Sequence, residues 1–135
     1  MNKAGKIIHY VLLGILGFIV LIPIILIGTF YIGNYFGLHY KGANRYYHTA
    51  MKEGNGNEAV YWSKRVLLYT NKNVGWTNVS EKLNKVAEAY ELNNEQDQSQ
   101  KIHEEIEAIN ELFRQGKVKE AHQRIVELRH RVVNE

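Results

Sequence analysis

The chain contains no cysteine. That excludes a disulfide staple, a thiol nucleophile, a thiolate metal site and a lipoprotein anchor attached through cysteine. It leaves the compartment open, because a cysteine-free chain suits either face of a bacterial inner membrane. Charge is also missing from a long stretch, since Lys3 and Lys6 are the only charged side chains before Lys41. Constellations that carry chemistry are missing as well. No Gly-rich phosphate loop occurs, and no serine sits in a nucleophile elbow. His103-Glu104-Glu105 lacks the second histidine at i+4 that a zinc helix requires. His122 and His130 share a helix face, but no carboxylate there completes a ligand set. With about 35 residues committed to or flanking the uncharged stretch, one small domain remains, near the lower limit for an independent core. No enzyme, cofactor or metal is expected.

In place of these the sequence has an apolar run, IIHYVLLGILGFIVLIPIILIGTFYI from Ile7 to Ile32. At about 1.5 Å per residue such a helix exceeds a hydrocarbon core of about 30 Å and spans it with tilt to spare. The run is longer than the roughly 7–15 residues of a cleavable signal core, and no small-x-small site follows. Residues 7–36 therefore read as a retained transmembrane anchor behind a short basic tail, residues 1–6. Pro23 removes a backbone donor and is expected to bend the helix near its middle. Gly14 and Gly17 lie close on its surface, and Gly33 and Gly37 make a small-xxx-small step. Another membrane helix can approach closely at such positions, although glycine is also common in membrane helices that make no such contact.

His9 and Asn34 fall near the two ends, where water and headgroups solvate them. Phe30, Tyr31, Tyr35, Phe36 and Tyr40 form an aromatic belt at the exit, continued by Tyr46 and Tyr47. The belt is expected to lay residues 37–53 along the membrane. Tyr35 and Tyr40 then sit at headgroup depth, and Lys41, Arg45 and Lys52 each gain about 1 kcal/mol from anionic lipid. Lysines flank both ends of the span, so the charge count does not choose an orientation. A basic leader before an uncleaved apolar segment favours an inside N-terminus, with the domain outside the cytoplasm.

Every periodic stretch beyond the anchor reads as helix, and none alternates as a strand. Lys41–Glu53 is a first helix, stopped by Gly54-Asn55-Gly56. A second, capped by Asn55 or Asn57, runs to Leu68 or Thr70, and Asn71 to Gly75 is loop. A third begins near Thr77 or Ser80 and aligns Val79, Leu83, Val86, Ala87 and Tyr90. The polar run Asn93–Gln100 reads as a loop or frayed bridge. Ile102, Ile106, Ile109 and Phe113 form the stripe of a fourth helix, which ends at Gly116. Val118, Ala121, Ile125, Leu128 and Val132 form the stripe of a fifth, and these last two close a helical hairpin. The expected fold is all-α, a transmembrane helix followed by a small helical-hairpin domain over residues 54–135.

One internal echo links two of these turns. Gly54-Asn55-Gly56-Asn57-Glu58-Ala59 and Gly116-Lys117-Val118-Lys119-Glu120-Ala121 both read G-x-x-x-E-A. This resembles the turn and second-helix start of a tetratricopeptide repeat, in which the glycine closes the turn and the alanine lets paired helices approach. The form is degenerate. Tyr47 and Ile109 stand where the family has a small residue, Val66 and Leu128 stand at its later alanine, and no proline closes either unit. The distance from Gly54 to Gly116 is not a multiple of the usual repeat of about 34 residues. The resemblance implies a protein-binding stack of helical pairs.

Charge is distributed unevenly along the domain. From Lys41 to Gly75 there are six basic and two acidic residues, from Trp76 to Phe113 three and nine, and from Arg114 to Glu135 six and three. The terminal basic set has no aromatic side chains to stack on bases and is interrupted by Glu120 and Glu127, so nucleic acid is not expected as a partner. Glu104, Glu105, Glu107 and Glu111 form an acidic face that these cations can meet to lock the hairpin. Tyr61, Trp62 and Trp76 are candidate partner contacts, because amphipathic aromatics are favoured at interfaces; core packing is the competing role.

Two functional readings remain. One is an accessory or assembly subunit, a scaffold that binds other membrane protein subunits. The other is a self-associating protein that contacts membrane lipids through its basic aromatic neck.

Overall fold

The computed structural model describes residues 3–71 and 74–135. Met1, Asn2, Lys72 and Asn73, and with the last two part of the loop expected at Asn71–Gly75, lie outside the described residues, as do the side chains of Lys3 and Ala4. The chain is all-helical: α1 Lys3–Tyr35, α2 Tyr40–Glu53, α3 Gly56–Tyr69, α4 Trp76–Leu92, α5 Gln96–Arg114 and α6 Val118–Asn134. Helix α1 runs unbroken through Pro23.

Four helices end on the same device, a left-handed residue followed by an amide that reaches back five positions. Gly37 (φ 70°), Gly54 (φ 71°), Asn94 (φ 60°) and Gly116 (φ 73°) take the left-handed conformation. The following amides donate from Leu38 to Gly33 O at 2.7 Å, Asn55 to Ala50 O at 2.9 Å, Glu95 to Tyr90 O at 2.8 Å and Lys117 to Leu112 O at 2.9 Å. Each bond satisfies a carbonyl that the helix end would otherwise orphan, and those at Gly54, Asn94 and Gly116 reverse the chain within a few residues. Helix α3 then starts on Asn55, whose Oδ1 accepts from the Glu58 amide at 3.3 Å.

Tight turns make neighbouring helices antiparallel, and α2 through α6 pack in sequence, with α6 closing back on α3. Between α2 and α4 the pairs Tyr40–Lys82, Asn44–Lys85 and Tyr47–Glu88 advance together, so these two helices run parallel on either side of α3. The core has two parts. One is the aliphatic set of α4, α5 and α6 with Leu67, including Leu83, Val86, Ile109 and Leu128. The other is alanine-rich and brings α2, α3 and α4 close through Ala43, Ala50, Ala59 and Ala89 around Tyr47. Ala59 and Ala121, the alanines of the two G-x-x-x-E-A segments, are fully buried.

Three expectations are corrected. The polar run from Asn93 is not a loop through Gln100: a turn occupies Asn93–Glu95 and α5 starts at Gln96. Asn94 supplies the left-handed stop without a glycine, and Ser99 is buried, donating to Glu91 Oε1 at 2.8 Å. Val118 is exposed rather than part of the α6 stripe. Residues 37–53 do not lie apart from the domain, because α2 buries Gly42, Ala43, Tyr47 and Ala50 within it.

A Cβ on Gly54 would meet nothing within 4 Å, so a substitution there tests the left-handed turn alone. Gly54→Val is expected to lower stability by about 1–2 kcal/mol and Gly54→Asn by less. Urea titration of the circular-dichroism signal of the full-length protein in detergent measures both.

Candidate functional site

Helix α1 is the one helix among the described residues long and apolar enough to cross a membrane. Its 33 residues reach about 50 Å. From Ile7 to Ile32 its large apolar side chains are exposed, so its own chain does not cover them. Gly14 and Gly17 open onto empty space.

The end of α1 is different, because α2 and α3 grip it. Gly37 lies beyond the helix as its left-handed stop, so Gly33 and Gly37 do not form a step on one helical surface. Both are occupied from within the chain. A Cβ on Gly33 would lie 2.3 Å from the His39 ring, and one on Gly37 would lie 2.4 Å from the Trp62 ring. His39 folds back to stack on Phe30 at 5.8 Å. Gly42 brings the first turn of α2 against the end of α1, where a Cβ would sit 2.2 Å from the Asn34 carbonyl oxygen.

The last carbonyls of α1 are satisfied from α2. Arg45 Nη2 donates to Asn34 O at 3.5 Å and to Tyr35 O at 3.4 Å, and the Tyr46 hydroxyl also donates to Tyr35 O. A cation at a helix C-terminus is favoured by the macrodipole as well as by these bonds. The Arg45 guanidinium lies 5.1 Å from the Tyr46 ring centroid, and Trp62 of α3 stacks on the other partner of that contact, Tyr46, at 4.7 Å. Arg45 thus acts on α1 itself while its side chain stays exposed.

The other expected site residues separate. Tyr35 and Lys41 are exposed at the joint, and Lys52 is exposed about three turns further along α2. Tyr40 is half-buried, with Lys82 Nζ 5.6 Å from its ring. Tyr61 is exposed, and Arg65 lies 5.2 Å from its ring. Trp76 is not in a loop: it opens α4, packs near Phe113, and its indole donates to Asn110 Oδ1 at 2.6 Å. It therefore ties α4 to α5.

Two electrostatic contacts close the far side of the domain. Glu105 accepts from Arg124 Nε at 2.9 Å and pairs with Arg131 at 3.3 Å. The Arg124 hydrogen bond, with support from Arg131, holds its carboxyl below the ordinary range. The second contact is Arg129 of α6, whose Nη2 donates to Leu67 O at 3.0 Å, to Leu68 O at 3.2 Å and to Thr70 O, capping the end of α3. Burial pushes the Arg129 guanidinium pKa down. Sequence reasoning missed both helix-end arginines, because a carbonyl acceptor leaves no mark on residue type.

Comparison with protein-family models, curated proteins and solved structures finds no match for the chain. The functional reading rests on the geometry.

Gly42→Leu is expected to force α2 off the end of α1 and raise the protease sensitivity of residues 36–39 in the full-length protein, which limited proteolysis reads. The Glu105 pair has the opposite pH sense from a histidine switch. Its carboxyl titrates lower when folded, so its contribution is complete above the ordinary carboxylate value of 4.5 and is lost as the pH falls through the lowered one. The guanidinium ends are half exposed, which limits the pair to about 1 kcal/mol. Glu105→Gln should lose this acid-side dependence in urea titrations at successive pH values.

Proposed function

We propose that the protein is a membrane-anchored helical scaffold, an accessory or assembly subunit of a larger membrane protein complex that works through protein–protein contacts. The observation that carries this reading is the joint. An apolar helix exposed along its length is tied at one end by Arg45, Tyr46 and Trp62 to a helical stack. Such a construction holds a binding surface at a set position relative to the span. Of the residues a lipid-contacting neck would use, Arg45 is engaged with α1 and Tyr40 is half-buried, whereas Tyr35, Lys41 and Lys52 are exposed.

In this reading α1 lies in the bilayer, with Tyr31, Tyr35 and Phe36 exposed at its exit. Gly14 and Gly17 are the positions where a neighbouring membrane helix packs. The membrane is a bacterial inner membrane, the N-terminus is inside, and the domain stands outside the cytoplasm. The pairing of Gly54 with Ala59, and of Gly116 with Ala121, supports a tetratricopeptide-like use of the helical hairpins as a protein-binding stack.

The test is purification of the full-length protein from its native membrane in mild detergent, beside a Gly14→Leu/Gly17→Leu variant. Both substitutions enter open space, so the chain's own fold is left intact. A stoichiometric membrane protein partner, weakened or lost in the variant, is the expected outcome. Recovery of the protein alone, or only as its own oligomer, would overturn the subunit reading in favour of the lipid-contacting one.

A further inference from the structure

Beyond α2, the exposed large apolar side chains among the described residues are Tyr61, Leu68, Val118 and Val126. Leu68 and Val126 line one groove of about 670 Å³, formed by α6 against the end of α3 and the start of α4, with Trp76 and Val133 also in its wall. Its polar lining includes His122, Arg129 and His130, and no carboxylate side chain contributes.

Arg129 is the informative member. Arg114, Arg124 and Arg131 each pair with a glutamate, whereas Arg129 has no carboxylate within ion-pair distance among the described residues. Its Nη2 is committed to the carbonyls at the end of α3. A guanidinium carries five N–H donors, so others remain, and the partial negative charge of the α3 C-terminus offsets the full charge of this half-buried cation only in part. The groove therefore joins an apolar floor to a positive charge that no carboxylate side chain of its lining offsets.

We propose that this groove docks an amphipathic helix of a partner protein, with an apolar stripe against Leu68 and Val126 and carboxylates against Arg129. The proposal rests on the accessory-subunit reading and names the surface through which the domain acts. From His122 to Val133 the groove follows about three turns of α6, a length suited to the i, i+3/i+4, i+7 anchors of a helical ligand. A second copy of the chain does not supply such a stripe. Its acidic helix, α5, buries Ile102, Ile106 and Ile109 in its own core.

The experiment uses the full-length protein in nanodiscs of zwitterionic lipid and two labelled synthetic helical peptides with the same leucine stripe, flanked by glutamate in one and lysine in the other. The glutamate peptide is expected to bind at least tenfold more tightly in fluorescence anisotropy. Val126→Glu should reduce that binding at least tenfold. Val126 is 68% exposed, so this change places a charge in the groove without disturbing the core. Equal binding of the two peptides, no binding, or binding unaffected by Val126→Glu overturns the proposal. So does a dimer in sedimentation that Val126→Glu dissociates, since a second copy would then fill the groove. A native complex that persists in Val126→Glu, with no peptide binding, removes the groove and leaves the subunit reading standing. Specific peptide binding without any native complex does the reverse.

Discussion

The structure depends on one backbone interaction repeated four times: an amide just past a helix reaches back five residues across a left-handed turn. It satisfies carbonyls that the helix end would otherwise leave unpaired, and after α2, α4 and α5 it reverses the chain in the space of two or three residues. Between α2 and α3, α4 and α5, and α5 and α6, such short reversals set each helix antiparallel on its predecessor. The α2–α3 part of the alanine-rich contact and the aliphatic contact of α4, α5 and α6 follow from that proximity, while α4 meets α3 across the longer connection after Thr70. The same turn that organises the domain also ends the apolar helix at Gly37, so the joint is made by the device used elsewhere.

At the joint, ordinary sheet-like or loop-like tethering is replaced by packing. Small residues bring backbone close, with Gly33 under His39, Gly37 under Trp62 and Gly42 under the Asn34 carbonyl. Arg45 and Tyr46 then take up the exposed carbonyls. A larger side chain at Gly42 would meet the Asn34 backbone and separate the helices, whereas one at Gly33 would displace the exposed His39 ring. The close approach therefore comes first, and the polar contacts complete it.

Much of this was legible in the residues. The periodic stripes Val79–Tyr90 and Ile102–Ile109 are buried as their spacing implies, and the glycine at 54 and at 116 marks a helix end in each case. Asn94 was harder to read, because a polar run without apolar residues resembles a loop until one asparagine adopts the left-handed turn and the remainder becomes the solvated start of α5. Gly33 and Gly37 carry the pattern of a membrane-helix contact, yet the chain uses them for its own turn; the pattern reports close approach and does not say to what. The aromatics divided for a similar reason. Trp62 and Trp76 are amphipathic enough for an interface, but each found an internal partner, Tyr46 and Asn110. The helix-end contacts of Arg45 and Arg129 had no signal in the sequence, since any helix end offers acceptors.

The grip of α2 and α3 on the end of α1 also has a mechanical meaning. Two bodies connected by a flexible tether tumble independently, and a force on one dissipates in the tether. Here the connection between Tyr35 and Tyr40 is braced by side chains from two further helices. A rotation of the apolar helix about its axis turns the whole stack with it, including the groove beside α6. The long arm and the head are joined by packing at one angle, so a turn of the arm would change which side of the head faces outward.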